Sequence, residues 1–239
     1  MRGWWREISD VVLPSACGGC GRPRTALCTE CTEALLGGPA RRVRPVPEPP
    51  GLPPVWAAAV YEDAVRAVLL AHKERGALGL AGALGGALAE AVRAVSRRGA
   101  GSGELLLVPV PSSRGAVRSR GHDAGRRIAC AAAAELRRSG TRARMLGVLR
   151  QRRAVADQAG LDAPQRLANL SGALEVAPAG VRLLDGGRVV FVDDLMTTGA
   201  SLVEAARAVR AAVRKPAGAV EPVAAVIAAP PLSSEINRN

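Results

Sequence analysis

Residues 188–202 read RVVFVDDLMTTGASL. Val189, Val190, Phe191 and Val192 have the character of a buried strand, and two carboxylates, Asp193 and Asp194, follow at once. Adjacent like charges repel and Asp is a poor strand residue, so packing supplies no reason for the pair. Asp185, Gly186 and Gly187 mark a turn before the strand. After the pair, Thr197, Thr198, Gly199, Ala200 and Ser201 form a turn of hydroxyls and small residues. A helix then follows, with Leu202, Ala206, Val209 and Val213 on one face and Arg207, Arg210 and Arg214 opposite. Such a turn at a helix N-terminus presents backbone N–H groups and the helix dipole to an anion. The carboxylates offer acceptors to hydroxyl groups, and a ribose 5-phosphate satisfies both. Neither a GxxxxGK[ST] loop nor a GxGxxG fingerprint occurs, which disfavours ATPase and dinucleotide-binding readings.

Further strands and helices alternate around this element. VWAAAVY from Val55 and the continuous apolar run ELLLVPVP from Glu104 predict strands, as do ARMLGVL from Ala143 and VEPVAAVIAAP near the C-terminus. EDAVRAVLLAHKERG predicts an amphipathic helix whose end carries His72 and Lys73, cations that suit the helix dipole there. Residues 78–97 predict a second helix, with glycines (Gly76, Gly79, Gly82, Gly85) at three-residue steps. A third runs from about His122 to Arg138, with an apolar stripe through Ala124, Ile128, Ala131 and Leu136 and with Cys130 expected to be buried. SSRGAVRSRG between strand and helix reads as a loop, and the basic segment 150–171 as a lid or a solvated loop. The alternation predicts an α/β fold with a doubly wound parallel sheet, whose ligands lie beyond the carboxyl ends of the strands.

Four of the five cysteines fall in CGGCGRPRTALCTEC, as Cys17, Cys20, Cys28 and Cys31. Two CxxC pairs this close point to a closed tetrahedral thiolate site for structural Zn²⁺, the alternative being a pair of disulfides. The organisation read from this is a zinc module at 1–36, a Pro-rich linker at 37–54, a main domain at 55–231 and a frayed tail at 232–239.

The 239 residues carry a formal charge of +12, and of the 33 basic residues only Lys73 and Lys215 are lysines. The charge favours anionic partners. Aromatics make up only 2% of the chain, so stacking platforms for single-stranded nucleic acid are scarce. No apolar run reaches the ~18 residues of a membrane span, and the N-terminus lacks signal-peptide character, so a cytoplasmic location is expected.

VVFVDDLMTTGASL closely resembles the phosphoribosyl diphosphate (PRPP) signature of type I phosphoribosyltransferases. LVPVPSSRGAVRSRGHDAGRRIA and DQAGLDAPQRLANLSGAL are similar to segments of the ComF/GntX branch, as is an N-terminal CxxC…CxxC. The resemblance implies a type I phosphoribosyltransferase fold in which Asp193 and Asp194 hold the ribose hydroxyls. The backbone of Thr197, Thr198, Gly199, Ala200 and Ser201 would hold the 5-phosphate. Ser112, Ser113 and Arg114 would face pyrophosphate with Arg118 and Arg120 nearby, and Gln158, Arg166 and Asn169 would belong to a hood. Mg²⁺ would ride on PRPP itself. The branch usually has an aromatic and an amide where this chain has His122 and Asp123, and an aromatic near Leu174, which bears on the acceptor. Two functions fit: phosphoribosyl transfer to a nitrogen nucleophile, or a non-catalytic accessory of DNA uptake that senses PRPP or touches single-stranded DNA or a helicase.

Overall fold

The structure is a computed structural model and describes residues 16–97, 103–155, 160–213 and 222–231. Its elements run α1 (Thr29–Leu36), β1 (Arg41–Val43), β2 (Val55–Val60), α2 (Asp63–Glu74), α3 (Ala81–Arg97), β3 (Glu104–Pro109), α4 (Arg114–Arg120) and α5 (Ala124–Arg138). They continue with β4 (Ala143–Met145), β5 (Leu149–Gln151), α6 (Ala163–Leu170), β6 (Leu174–Val176), α7 (Val181–Leu184), β7 (Gly187–Leu195), α8 (Ala200–Ala212) and β8 (Val223–Ala229). Six strands form one sheet in the order β1-β2-β8-β7-β3-β4, parallel except for the edge strand β1. The remaining two, β5 and β6, pair antiparallel as a separate ribbon.

Period-two alternation divides the strand residues between two cores. Leu105, Leu107, Val190, Val192, Ala225 and Ile227 face one side, where α2, α3 and α5 pack. Leu106, Val108, Val189, Phe191, Ala224 and Val226 face the other, against α8. Layers on both faces agree with the expected doubly wound parallel sheet, from which the antiparallel edge strand β1 departs. With so few aromatics, close packing rests on small residues. At Gly85 of α3 a Cβ would lie 2.5 Å from that of Ala131 on α5, so only glycine permits this approach. Gly79 and Gly82 face open space, and the glycine series therefore has one packing position. Leu78–Arg97 is long and apolar enough to cross a membrane, but 56% of its apolar window is buried in the core, which accounts for its composition.

The structure corrects several local expectations. SSRGAVRSRG is not a loop: Ser113 caps α4 by accepting from the Ala116 N–H, and Gly121 ends it with a left-handed φ of 74°. A seven-residue polar helix has no apolar stripe to betray it. The stretch expected as one strand from Ala143 splits into β4 of the main sheet and β5 of the ribbon. Segment 150–171 contains α6, started by a capping box between Asp162 and Gln165. Cys130 is exposed, because the buried stripe of α5 runs through Ile128, Ala129, Ala132 and Ala133.

Segment 37–54 is not simply a linker. It contributes β1, whose Val43 is buried in the second core, and Leu52 packs against that core. Leu35 of α1 is buried in the first core. The expected tail at 232–239 lies outside the described residues.

Candidate functional site

The chain order reverses between β3 and β7. From β3 it passes through α4 and α5 to β4 on one side, and from β7 through α8 to β8 on the other. At such a switch point the loops after the two strands part and leave a crevice at the carboxyl ends. A cleft of about 700 Å³ occupies this place, lined among others by Ser112 and Ser113 after β3, Asp193 and Asp194 of β7, and Thr197 and Ser201 at the start of α8.

Each carboxylate of the pair is held by a different group. Asp193 Oδ1 accepts from the Asp194 backbone N–H at 2.9 Å. Asp194, buried, meets Lys73 Nζ at 2.7 Å through Oδ2. Burial, and then the neighbouring Asp194 charge, push the Asp193 carboxyl up to about 8, against the opposing pull of Lys73. Burial works against the Lys73 ammonium, but the charges of Asp194 and Asp193 outweigh it and raise its pKa. Lys73 thus corrects the helix-end reading: it lines the cleft and pairs with the acidic element. The available signal was its rarity as a lysine in an arginine-rich chain.

Beyond the pair, Gly199 is the N-cap of α8 with φ 77°. A Cβ there would be strained and would meet Leu52 Cδ1 at 2.8 Å, so the sharp entry into the helix needs glycine. Thr198 Oγ1 accepts from the Ala200 N–H at 3.5 Å within the turn. The amide-rich N-terminus of a 13-residue helix thereby opens beside the acidic pair.

On the opposite wall Arg120 lines the cleft and is paired with Glu74, which lines it too. Arg114 and Arg118 are exposed and are not among the lining residues. Behind this wall His72 and His122 meet edge-to-face with ring centroids 6.0 Å apart, and neither lines the cleft. Asp123, where the resembled branch has an amide, caps α5 by accepting from the Arg126 N–H.

The ribbon and α6 overhang the site through Gln151, Val155, Leu170 and Leu174. Arg166 of α6 donates to Thr197 Oγ1 at 3.2 Å, so the overhang touches the turn directly. Asn169 does not line the cleft, and its backbone carbonyl accepts from Arg153. Gln158 lies outside the described residues. Sequence reasoning missed the tie beneath the overhang. Buried Glu204 of α8 accepts from the Leu174 N–H at 2.8 Å, while Arg207 donates to the Leu174 carbonyl at 2.8 Å and to Glu204. Burial raises the Glu204 pKa, but the bonds from Arg207 and the Leu174 amide prevail and lower it.

A second site lies in the N-terminal segment. The Sγ atoms of Cys17, Cys20, Cys28 and Cys31 all lie within 4.8 Å of one another, and none is in a disulfide. A Zn–S distance of about 2.3 Å requires tetrahedral edges of about 3.8 Å, so the set fits a tetrahedral metal ion such as Zn²⁺. Burial opposes ionisation of Cys17, yet backbone amides of Cys20, Cys28 and Gly19 outweigh it and lower that thiol to about 6. That supplies one thiolate ahead of the metal, whereas burial, with hydrogen bonds from the other thiols, pushes the Cys31 thiol up, so its proton must leave as a metal binds.

No family model matches the chain, and no curated protein matches it.

Proposed function

We propose that the chain is a phosphoribosyltransferase-like protein of the ComF/GntX kind, with a type I phosphoribosyltransferase fold, that binds PRPP with Mg²⁺ and transfers its phosphoribosyl group to a nitrogen nucleophile. The observation that carries this reading is the convergence of three elements on one cleft: the acidic pair, the α8 turn and the Ser112–Ser113 loop with Arg120. Each suits a different part of PRPP. The pair accepts hydrogen bonds from ribose hydroxyls, and the N–H groups of the turn face the 5-phosphate. The loop and Arg120 face pyrophosphate, on whose oxygens Mg²⁺ is carried. When pyrophosphate leaves, positive charge develops at C1 of the ribose. Carboxylates beside the ring stabilise that charge, while Arg120 offsets the charge of the leaving group. The ribbon and α6 would limit the access of water.

The four cysteines hold Zn²⁺ in a structural role under this reading, since four protein thiolates leave no open coordination position.

Calorimetric titration of PRPP with Mg²⁺, followed by assay of pyrophosphate release with nitrogenous acceptors, tests the proposal. Saturable binding with acceptor-dependent release supports transfer, and absence of binding refutes it. The exposed Arg114 and Arg118 at the edge of α4 favour a second, non-catalytic reading, in which the chain binds PRPP as a signal or touches single-stranded DNA or a helicase. Binding of PRPP without release would select the signal form. Contact through these arginines alone predicts nucleic-acid affinity that falls steeply with salt and ignores sequence.

A further inference from the structure

Two consecutive residues at the end of α2 supply the cleft with opposite charges: Lys73 reaches the acidic pair on one wall and Glu74 reaches Arg120 on the other. Lys73 is the less expected of the two. A cation that served only the helix dipole would remain in solvent near the last carbonyls. Its side chain is instead 35% exposed, and its ammonium lies 2.7 Å from a carboxylate that is 9% exposed. An ammonium is a compact point charge, whereas a guanidinium grips a carboxylate through both oxygens. Lys73 engages Oδ2 of Asp194 as a single point contact, and the neighbouring Asp193 carboxyl also bonds to that side chain. Asp194 lines the cleft, so the part of the carboxylate that Lys73 does not grip is presented to a ligand. An arginine at this position would tend to occupy both oxygens, which gives a physical reason for lysine in a chain whose other basic residues are almost all arginine.

We propose that Lys73 is a positioning residue for diol recognition: it fixes the Asp194 carboxylate by one oxygen so that the other faces the ligand's ribose hydroxyls. This rests on the phosphoribosyl reading of the cleft and adds to it a residue outside the resembled motifs. Lys73 acts through Asp194 and has no role at the phosphate turn. Its loss therefore affects hydroxyl recognition and spares phosphate binding.

The test uses the full chain and three probes: ribose 5-phosphate, 2-deoxyribose 5-phosphate and inorganic phosphate. Wild type should bind the ribose ester more tightly than the deoxy ester. Lys73→Met should weaken ribose 5-phosphate on the order of tenfold or more, the scale of a hydrogen bond to a charged group. The deoxy ester should lose less, and inorganic phosphate should be unaffected. Removing one partner of a buried pair endangers folding, so Lys73→Met/Asp194→Asn, which removes both charges, is measured beside Asp194→Asn alone. If Lys73 acts through Asp194, the double variant binds ribose 5-phosphate no more weakly than Asp194→Asn. Equal losses for all three probes would mean that Lys73 binds phosphate itself and would overturn the proposal. So would additive losses in the double variant, or unchanged affinity in Lys73→Met. Wild type that binds inorganic phosphate but shows no preference for the ribose ester would instead refute the reading of the acidic pair on which the proposal rests.

Discussion

Arg120 holds Glu74 with two hydrogen bonds, Nε to Oε2 at 3.0 Å and Nη2 to Oε1 at 2.9 Å, and both residues line the cleft. If the cleft takes PRPP, the pyrophosphate must compete with Glu74 for this guanidinium. Glu74→Gln removes the competing charge and should tighten pyrophosphate by a few-fold at most, since an ion pair open to solvent is worth ~0.2–1 kcal/mol. Arg120→Ala should weaken pyrophosphate. Calorimetry on both variants checks this, and unchanged affinities in the two would remove Arg120 from the leaving-group side.

The acidic pair also sets a pH dependence of stability. Asp193 rises from the ordinary 3.8 to about 8 in the folded protein, through burial and the Asp194 charge. The folded state therefore holds a proton there that the unfolded state releases over this interval. Stability from this group is fully present below the ordinary value and is lost as pH rises through about 8. Urea midpoints of wild type should fall between about pH 4 and about pH 8 and level off above that, and Asp193→Asn should flatten that fall. Parallel profiles for the two proteins would place the titration elsewhere.

Glu204 ties the ribbon to the helix that follows the turn. Glu204→Ala strips the Leu174 N–H of its acceptor and leaves Arg207 without its carboxylate. The expected cost is about 2 kcal/mol or more, toward the lower end for a buried pair because Arg207 is partly exposed. Glu204→Gln keeps an acceptor and should cost less. Denaturant unfolding compares them, and equal midpoints for wild type and Glu204→Ala would show that the tie adds no stability.

Those parts of the fold with a long period were legible in the sequence. The runs at Leu105–Val108 and Val189–Val192 are too apolar for anything but buried strands, and α8 shows its face plainly. Short elements were not. In β1, β5 and β6, three residues each, side-chain alternation has no room to register. Their pairing is decided by partners distant in sequence, such as Leu149 with Val176. The candidate site divides in the same way. Asp193, Asp194, Ser112 and Ser113 sit at strand ends, and Thr197 and Ser201 at the turn into α8, where local pattern places them in the crevice. Lys73, Glu74 and Glu204 reach the site only through tertiary packing of helices whose local sequence reads as ordinary amphipathic surface. The four cysteines were legible because metal-ligand spacing is itself local.

The purified protein should contain about one Zn²⁺ per chain, bound by Cys17, Cys20, Cys28 and Cys31. Because α1 buries Leu35 in the first core, loss of the metal should lower the thermal midpoint of the whole chain and not merely loosen its N-terminal part. Elemental analysis and melting with and without chelator check both statements. Metal-free protein with an unaltered midpoint would contradict them.

The most direct test of the central claim is titration of PRPP with Mg²⁺, and separately of pyrophosphate, into wild type and Asp193→Asn/Asp194→Asn. Measured above about pH 8, where Asp193 is ionised, the near-isosteric amides remove charge from the hydroxyl acceptors while leaving the α8 turn in place. PRPP binding should weaken by ~2–4 kcal/mol if the two sites act independently, with pyrophosphate nearly unchanged. Equal PRPP affinity in the two proteins would contradict the assignment of the acidic pair to the ribose, and with it the phosphoribosyl reading of the cleft.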